Sequence, residues 1–250
     1  MIFKKPRPGA PPQQRIQLML PKGNAWTVEW SRNAFGWLAI GSDNSILLRD
    51  LNNNQHYTVP SIPSAVLALE FLPGSTSGTL AAGSRDGYVR LFDVRKQARL
   101  RGDGVAIKMD SAVCCIQATD AGRDIVCSDM AGGLHRYDLR TGARTQSYVG
   151  HVNSRTRLDF AIDPATQLLS APGEDGICRV WDLNSGGRSL ASFGPFGSVP
   201  ARPGVCAVLR SDWGGRGLAS VEAGPAASFA LLAPGQDPDV HSLDFYSPIL

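Results

Sequence analysis

Apolar and polar positions alternate with a period of two in four short stretches, each entered through a polar turn and left through an Asp: DNSILLRDL (43–51), DGYVRLFDV (86–94), AGGLHRYDL (131–139) and DGICRVWDL (175–183). Side chains that alternate in this way face opposite sides of a strand, so each stretch predicts a strand with at least one buried face. The exit residues Asp50, Asp93, Asp138 and Asp182 are 43, 45 and 44 residues apart. A period of that size is the length of one four-stranded propeller blade. Helical solenoids have similar periods, but β-branched and aromatic residues between Gly-centred turns select strands.

Residues 65–106 show how one unit is built. AVLALEFLP (65–73), TLAAGSR (79–85), GYVRLFDVR (87–95) and ARLRG (98–102) predict four strands. Pro73-Gly74 and Asp86-Gly87 supply the tight turns of an antiparallel meander. Apolar residues on both faces of such a sheet demand a sheet on either side, which a ring of blades provides. Units of the same kind span 24–60, 110–149 and 150–194, and a blurred fifth spans 203–234 without the exit Asp. The expected fold is all-β, a propeller of about five recognisable blades over residues 21–235, with no helix longer than three turns. Its ring is expected to be incomplete or open, because seven blades need roughly 308 residues. PRPGAPPQQ predicts a disordered, basic start over residues 1–20, and PGQDPD a loose tail over 236–250.

Composition narrows the chemistry. With 43% hydrophobic and 19% charged residues, 250 residues can bury a full core. The net charge of +3 is spread along the chain, unlike the Lys/Arg clustering of an electrostatic nucleic-acid binder, so direct nucleic-acid binding is not expected. Cys114, Cys115, Cys127, Cys178 and Cys206 form no Cys-x-x-Cys, which argues against a disulfide framework or a zinc site. IQLML is too short for a signal-peptide core, and no run is long enough for a transmembrane span. No membrane partner is expected, and localisation is expected in the nucleus or cytoplasm, with KKPRP a weak nuclear-import candidate. No P-loop, His-Glu-x-x-His or Gly-x-Gly-x-x-Gly occurs. GSTSG (74–78) places Thr76 between two strands, where a nucleophile elbow requires strand and helix. The histidines His56, His135, His151 and His241 lack metal-ligand spacing. No catalytic residue, metal or cofactor is expected.

Trp181-Asp182, the Asp-Gly turns at Asp86 and Asp175 and the dipeptide Gly150-His151 resemble WD40 repeats. SDMAGGLHRYDLRTG (128–142), YVGHVNS (148–154) and EDGICRVWDL (174–183) make the chain similar to the damaged-DNA-binding-protein-1 and cullin-4 associated factors of the fourth type. That resemblance implies a WD40 propeller serving as substrate receptor of a cullin-4 RING ubiquitin ligase. The implied partners are the damaged-DNA-binding protein 1 adaptor with its cullin-4 complex and an unknown protein substrate. It also implies an Asp-x-Arg box at two successive exits, Asp93 with Arg95 and Asp138 with Arg140. A planar guanidinium fork there suits carboxylates or carbonyls of the adaptor, although both arginines have the alternative of bonding only Asp93, Asp138 or a neighbouring blade. The other two units carry Asn52 and Asn184 instead. The buried hydrogen-bond chain of a WD40 blade is implied for one unit, through His151, Asp175 and Trp181 with Asp182 at the exit and Ser170 one residue out of register. Members of the family have further sequence before the propeller, which this chain is expected to lack. A general WD40 scaffold in RNA-processing or ribosome-assembly complexes is the other reading open at this point.

Overall fold

The computed structural model describes residues 24–31, 36–51, 55–59, 62–74, 78–95, 107–119 and 122–194, and the strand backbone at 206–208, 221–222, 228–232 and 243–244. Among the described residues every regular element is a strand. Strands β1 (Ala25–Trp30), β2 (Trp37–Ser42), β3 (Ile46–Asp50) and β4 (His56–Val59) form an antiparallel meander in chain order. The same order recurs in β5 (Val66–Phe71), β6 (Thr79–Ser84), β7 (Tyr88–Asp93) and β8 (Ile107–Lys108). It recurs again in β9 (Val113–Ala118), β10 (Asp124–Asp129), β11 (Leu134–Asp138) and β12 (Arg144–Val149). The fourth sheet consists of β13 (Ala161–Asp163), β14 (Leu168–Pro172), β15 (Cys178–Asp182) and β17 (Ala191–Phe193).

Alternation explains how these sheets stack. In β6, Leu80 and Ala82 join the core shared with the first sheet, while Ala81 joins the core shared with the third. In β10, Ile125 and Cys127 face the second sheet and Val126 faces the fourth. The second and third sheets are thus buried on both faces by their neighbours, which is propeller construction. Trp181, fully buried with Tyr148 and Phe160 between the third and fourth sheets, shows the scale. Burying one large apolar side chain contributes roughly 1.5–3 kcal/mol. Close approach also demands small residues at the ends of the second strands. A Cβ at Gly83 would stand 2.5 Å from Val113 Cγ1, and one at the equivalent Gly41 would stand 2.8 Å from Val66 Cγ1.

The structure departs from the alternation in three places. ARLRG (98–102) lies outside the described residues, and the position beside β7 belongs to β8, where Val89 stands opposite Ile107. Ile107 is buried in the core shared with the third sheet, and that burial draws the later segment onto the edge. Between β15 and β17, the short β16 (Gly187–Arg188) pairs in parallel with β12 of the preceding blade, Tyr148 opposite Gly187, and ties the two outer edges together. The fifth unit is a small sheet of β18 (Cys206–Val208), β19 (Val221–Glu222), β20 (Ser228–Leu232) and β21 (Leu243–Asp244), ordered β18-β20-β19 with β21 also on β20. The expected basic start, residues 1–20, lies outside the described residues, as does all of the expected tail except β21.

The result, among the described residues, is an open WD40 propeller. Among the described residues no strand pairs the first sheet with the last. Val28 and Trp30, which alternate along β1, remain 43% and 54% exposed, and Trp26 is 37% exposed beneath the Arg85 guanidinium of the second blade.

Candidate functional site

Strand register sets the four exits at equivalent points. Asp50, Asp93, Asp138 and Asp182 stand opposite Trp37, Thr79, Asp124 and Leu168, in each case the first residue of the second strand of the same sheet. The exit turns therefore share one rim of the propeller.

The first task of an exit Asp is local. Asp93 Oδ1 accepts the Arg95 amide at 3.0 Å. Asp138 Oδ1 accepts the amides of Arg140 and Thr141 at 2.9 and 2.8 Å and the Thr141 hydroxyl at 3.0 Å. Asp182 Oδ1 accepts the amides of Asn184 and Ser185 at 2.8 and 2.7 Å. A carboxylate that accepts the amide two residues on closes an Asx turn, and it does so whether Arg or Asn follows. The Thr141 amide and then its hydroxyl hold the Asp138 carboxyl below its ordinary range, and the Ser185 amide acts in the same direction on Asp182.

The arginines of the two boxes are held differently. Arg95 folds back on Asp93, with Nε donating to Oδ1 and Nη2 to Oδ2, both at 2.8 Å. This fork with Asp93 raises the guanidinium pKa further. Gly78 makes room for the stem, since a Cβ there would lie 2.7 Å from Arg95 Cγ. Arg140 is exposed, and its guanidinium meets no hydrogen-bonding or ion-pair partner among the described residues. Beside it stands Arg123, also exposed, whose carbonyl accepts the Leu139 amide at 2.9 Å. Nothing in the repeat pattern singled out Arg123, because it lies in the turn before β10 and outside the recurring stretches.

His151, Asp175 and Trp181 hold three separate points of the fourth blade. His151 Nε2 lies 3.2 Å from the Pro172 carbonyl, and burial pushes the imidazole pKa down. Trp181 Nε1 donates to the Val149 carbonyl at 3.1 Å. Asp175 is clamped by Arg179, whose hydrogen bond lowers the carboxyl pKa. The same clamp recurs in the second blade, where Arg90 Nη2 lies 2.7 Å from Asp86 Oδ2. The signal was present as the Arg of DGICR and DGYVR, a cation at the same place in two otherwise apolar strands. Glu174, which sequence reads as a solvated or turn-stabilising carboxylate, accepts the amides of Ser154, Arg155 and Thr156 and the hydroxyls of Ser154 and Thr156, which pin the entry to the fourth blade. The Ser154 and Thr156 bonds pull its carboxyl down to about 2. Among the described residues no three His, Cys, Asp or Glu side chains are grouped to hold a metal, and no helix is long and apolar enough to cross a membrane.

Residues 1–216 match the family described as "DDB1- and CUL4-associated factor 4 beta-propeller domain". The chain belongs to this family. Its similarity to DDB1- and CUL4-associated factor 4 of Bos taurus is 29% identity over 165 residues, covering 65% of this chain and 33% of the relative. The human DDB1- and CUL4-associated factor 4-like protein 2 is also 29% identical, over 65% of this chain and 41% of its own length. Periodic tryptophan protein 1 homolog of Drosophila melanogaster is 28% identical over 63% of this chain and 35% of its own length. The chain therefore spans between a third and about two-fifths of these relatives. Among solved structures, the computationally designed Ika8 protein superposes with a TM-score of 0.53 at 20% identity, over 66% of this chain and 48% of that one, and is similar in fold.

Proposed function

We propose that this member of the family is a non-catalytic substrate receptor that recruits the damaged-DNA-binding-protein-1 adaptor and cullin-4 through the rim bearing Arg95 and Arg140, and presents an unknown protein substrate for ubiquitination. The observation that carries the reading is the placement of two exposed arginines at equivalent exits of adjacent blades, each turn capped by its own Asp. A receptor of this kind performs no bond chemistry and acts by raising the local concentration of target and ligase. A place in the nucleus or cytoplasm belongs to the same reading.

Reversing Arg95 and Arg140 together to Asp tests it. Like charges then face whatever carboxylates the arginines met, and a loss of several kcal/mol is the interface precedent. The expected result is no capture of purified adaptor by a double variant that melts as the unaltered chain does. Reversal of Arg144 and Arg188, both exposed and outside any box, is the control and should leave capture intact. A folded double variant that captures adaptor as well as the control does would overturn the assignment. Similarity to the periodic tryptophan protein 1 homolog favours the scaffold reading as the second choice. Recovery of ribonucleoprotein components without adaptor or cullin-4 in affinity purification would select it.

A further inference from the structure

The residue before the second strand stands at the same point in every blade, against the chain that leaves the third strand. The carbonyls of Gly36, Gly78, Arg123 and Gln167 accept the amides of Leu51, Val94, Leu139 and Leu183, so these four residues are equivalent. We propose that in the third blade this position completes a binding site, in which Arg123 and Arg140 form a pair of open guanidinium groups that takes a carboxylate-rich segment of a docking partner. The site deepens the receptor reading above and rests on it for the identity of the docking protein.

Contacts in the flanking blades show what a side chain at this position meets. In the second blade it is Gly78, and a Cβ there would lie 2.7 Å from Arg95 Cγ and 2.9 Å from its Cδ. That empty space lets Arg95 fold back on Asp93. In the fourth blade it is Gln167, whose Oε1 accepts Asn184 Nδ2 at 3.3 Å. The residue before the second strand and the residue two places past the exit therefore face each other in both flanking blades. In the third blade those two residues are Arg123 and Arg140. A stem at Arg123 takes the room that Arg95 uses, and two like charges cannot bond as Gln167 and Asn184 do. Both residues stand exposed.

Neighbouring acids leave the two charges uncompensated. Asp124, next to Arg123, accepts Arg136 Nε at 3.1 Å and Nη2 at 2.5 Å. Asp138 accepts the amides of Arg140 and Thr141 and the Thr141 hydroxyl. Among the described residues neither guanidinium is in an ion pair. Each offers a planar fork that can take two carboxylate oxygens, so two forks side by side suit a segment with successive acidic side chains. The turn that carries Arg123 is also held in place. Gly122, at a φ of +60°, passes so close to the second blade that a Cβ would lie 2.7 Å from the Pro73 carbonyl oxygen.

The test uses the full chain without adaptor, hexaglutamate as the probe and hexaglutamine as its neutral counterpart, read from the arginine Nε–Hε resonances in nitrogen–proton correlation spectra. Replacing Arg95, Arg123 and Arg140 by Lys, one at a time, assigns the three resonances. Hexaglutamate is expected to shift Arg123 and Arg140 with a dissociation constant of about 5 mM or lower, and to leave Arg95, folded on Asp93, in place. Hexaglutamine should move none of them. Arg123→Gln keeps a side chain at the position and removes its charge, and should weaken the Arg140 response at least about threefold. Gly78→Ala fills the space used by the Arg95 stem and should make Arg95 respond to hexaglutamate as well. Arg123 and Arg140 resonances unmoved by about 20 mM hexaglutamate, or an Arg95 resonance that moves equally in the unaltered chain, would overturn the paired site. So would an undiminished Arg140 response in Arg123→Gln, or a folded Gly78→Ala chain in which Arg95 stays silent. Should Gly78→Ala fail to fold, Arg123→Gln, at an exposed position, decides. No adaptor enters the assay, so the paired site and the adaptor assignment can fail separately.

Discussion

The exits of the second and third blades carry the same triplet pattern, Asp-x-Arg, and hold their arginines in opposite ways. Arg95 is committed to Asp93 through a two-pronged ion pair, whereas Arg140 extends from a turn whose Asp138 is occupied by Thr141. The residue after the box makes the difference at the third blade. Thr141 supplies an amide and a hydroxyl to the Oδ1 that also caps the Arg140 amide, so the carboxylate is satisfied without the guanidinium. A box is therefore two devices in one triplet. The Asp builds the turn, and the Arg is available to a partner only as far as the Asp has other donors.

The largest expected effect follows from that inequality. On the adaptor reading, Arg140→Ala should weaken adaptor binding by about tenfold or more, near 1.4 kcal/mol, while Arg95→Ala costs only about threefold because Arg95 must first leave Asp93. Titration of each variant with purified adaptor checks this, and equal losses would erase the distinction between the exits. Next in size is the turn itself. Asp138→Ala removes the acceptor of three donors and should move the midpoint of a denaturant titration to lower concentration, as loss of a helix cap does. If stability is unchanged, the Asp does not build the turn. Asp93→Ala sharpens the comparison from the other side, since it frees Arg95, and adaptor binding should hold or strengthen by up to about threefold. A loss of binding would show that Asp93 meets the adaptor directly.

The smallest effect lies away from both exits and gives a baseline for reading the others in acid. Glu174 has its carboxyl held at about 2 against an ordinary value of 4.5. A carboxyl depressed by folding contributes stability above its unfolded pKa and loses it as pH falls through the folded value, so this contribution fades between about pH 4.5 and pH 2. Glu174 is exposed, and solvent screening keeps the contribution below about 1 kcal/mol. Melting curves across that window should fall less steeply for Glu174→Gln than for the unaltered chain. Parallel slopes would show that the five donors are not held in solution.

Much of the architecture was legible because the repeat is written in local terms. Alternation from Tyr88 to Asp93 or from Cys178 to Asp182 is a property of consecutive residues, and it located the third strand of each blade. The Asp-x-Arg triplets were visible for the same reason. Less legible were features that join residues far apart in sequence. Ile107 stands beside β7 because its burial depends on the third blade, while ARLRG, the expected neighbour, lies outside the described residues. Arg90 and Arg179 were in plain view as cations in apolar strands, yet of their partners Asp86 was read only as an Asp-Gly turn and Asp175 as a member of a WD40 hydrogen-bond chain.

By itself the sequence determined that the chain forms short antiparallel strands in blades of about 44 residues, each leaving its third strand through an Asp, because period-two burial and turn chemistry act over a few residues. Which segment takes the edge beside β7, and which ends of the second strands must stay small, were decided only in three dimensions. Both depend on what a neighbouring blade brings close: Ile107 is buried against the third blade, and Gly83 stands against Val113. Burial against a neighbouring sheet is set by through-space contact, and the order of residues along the chain does not contain it until the blades have packed.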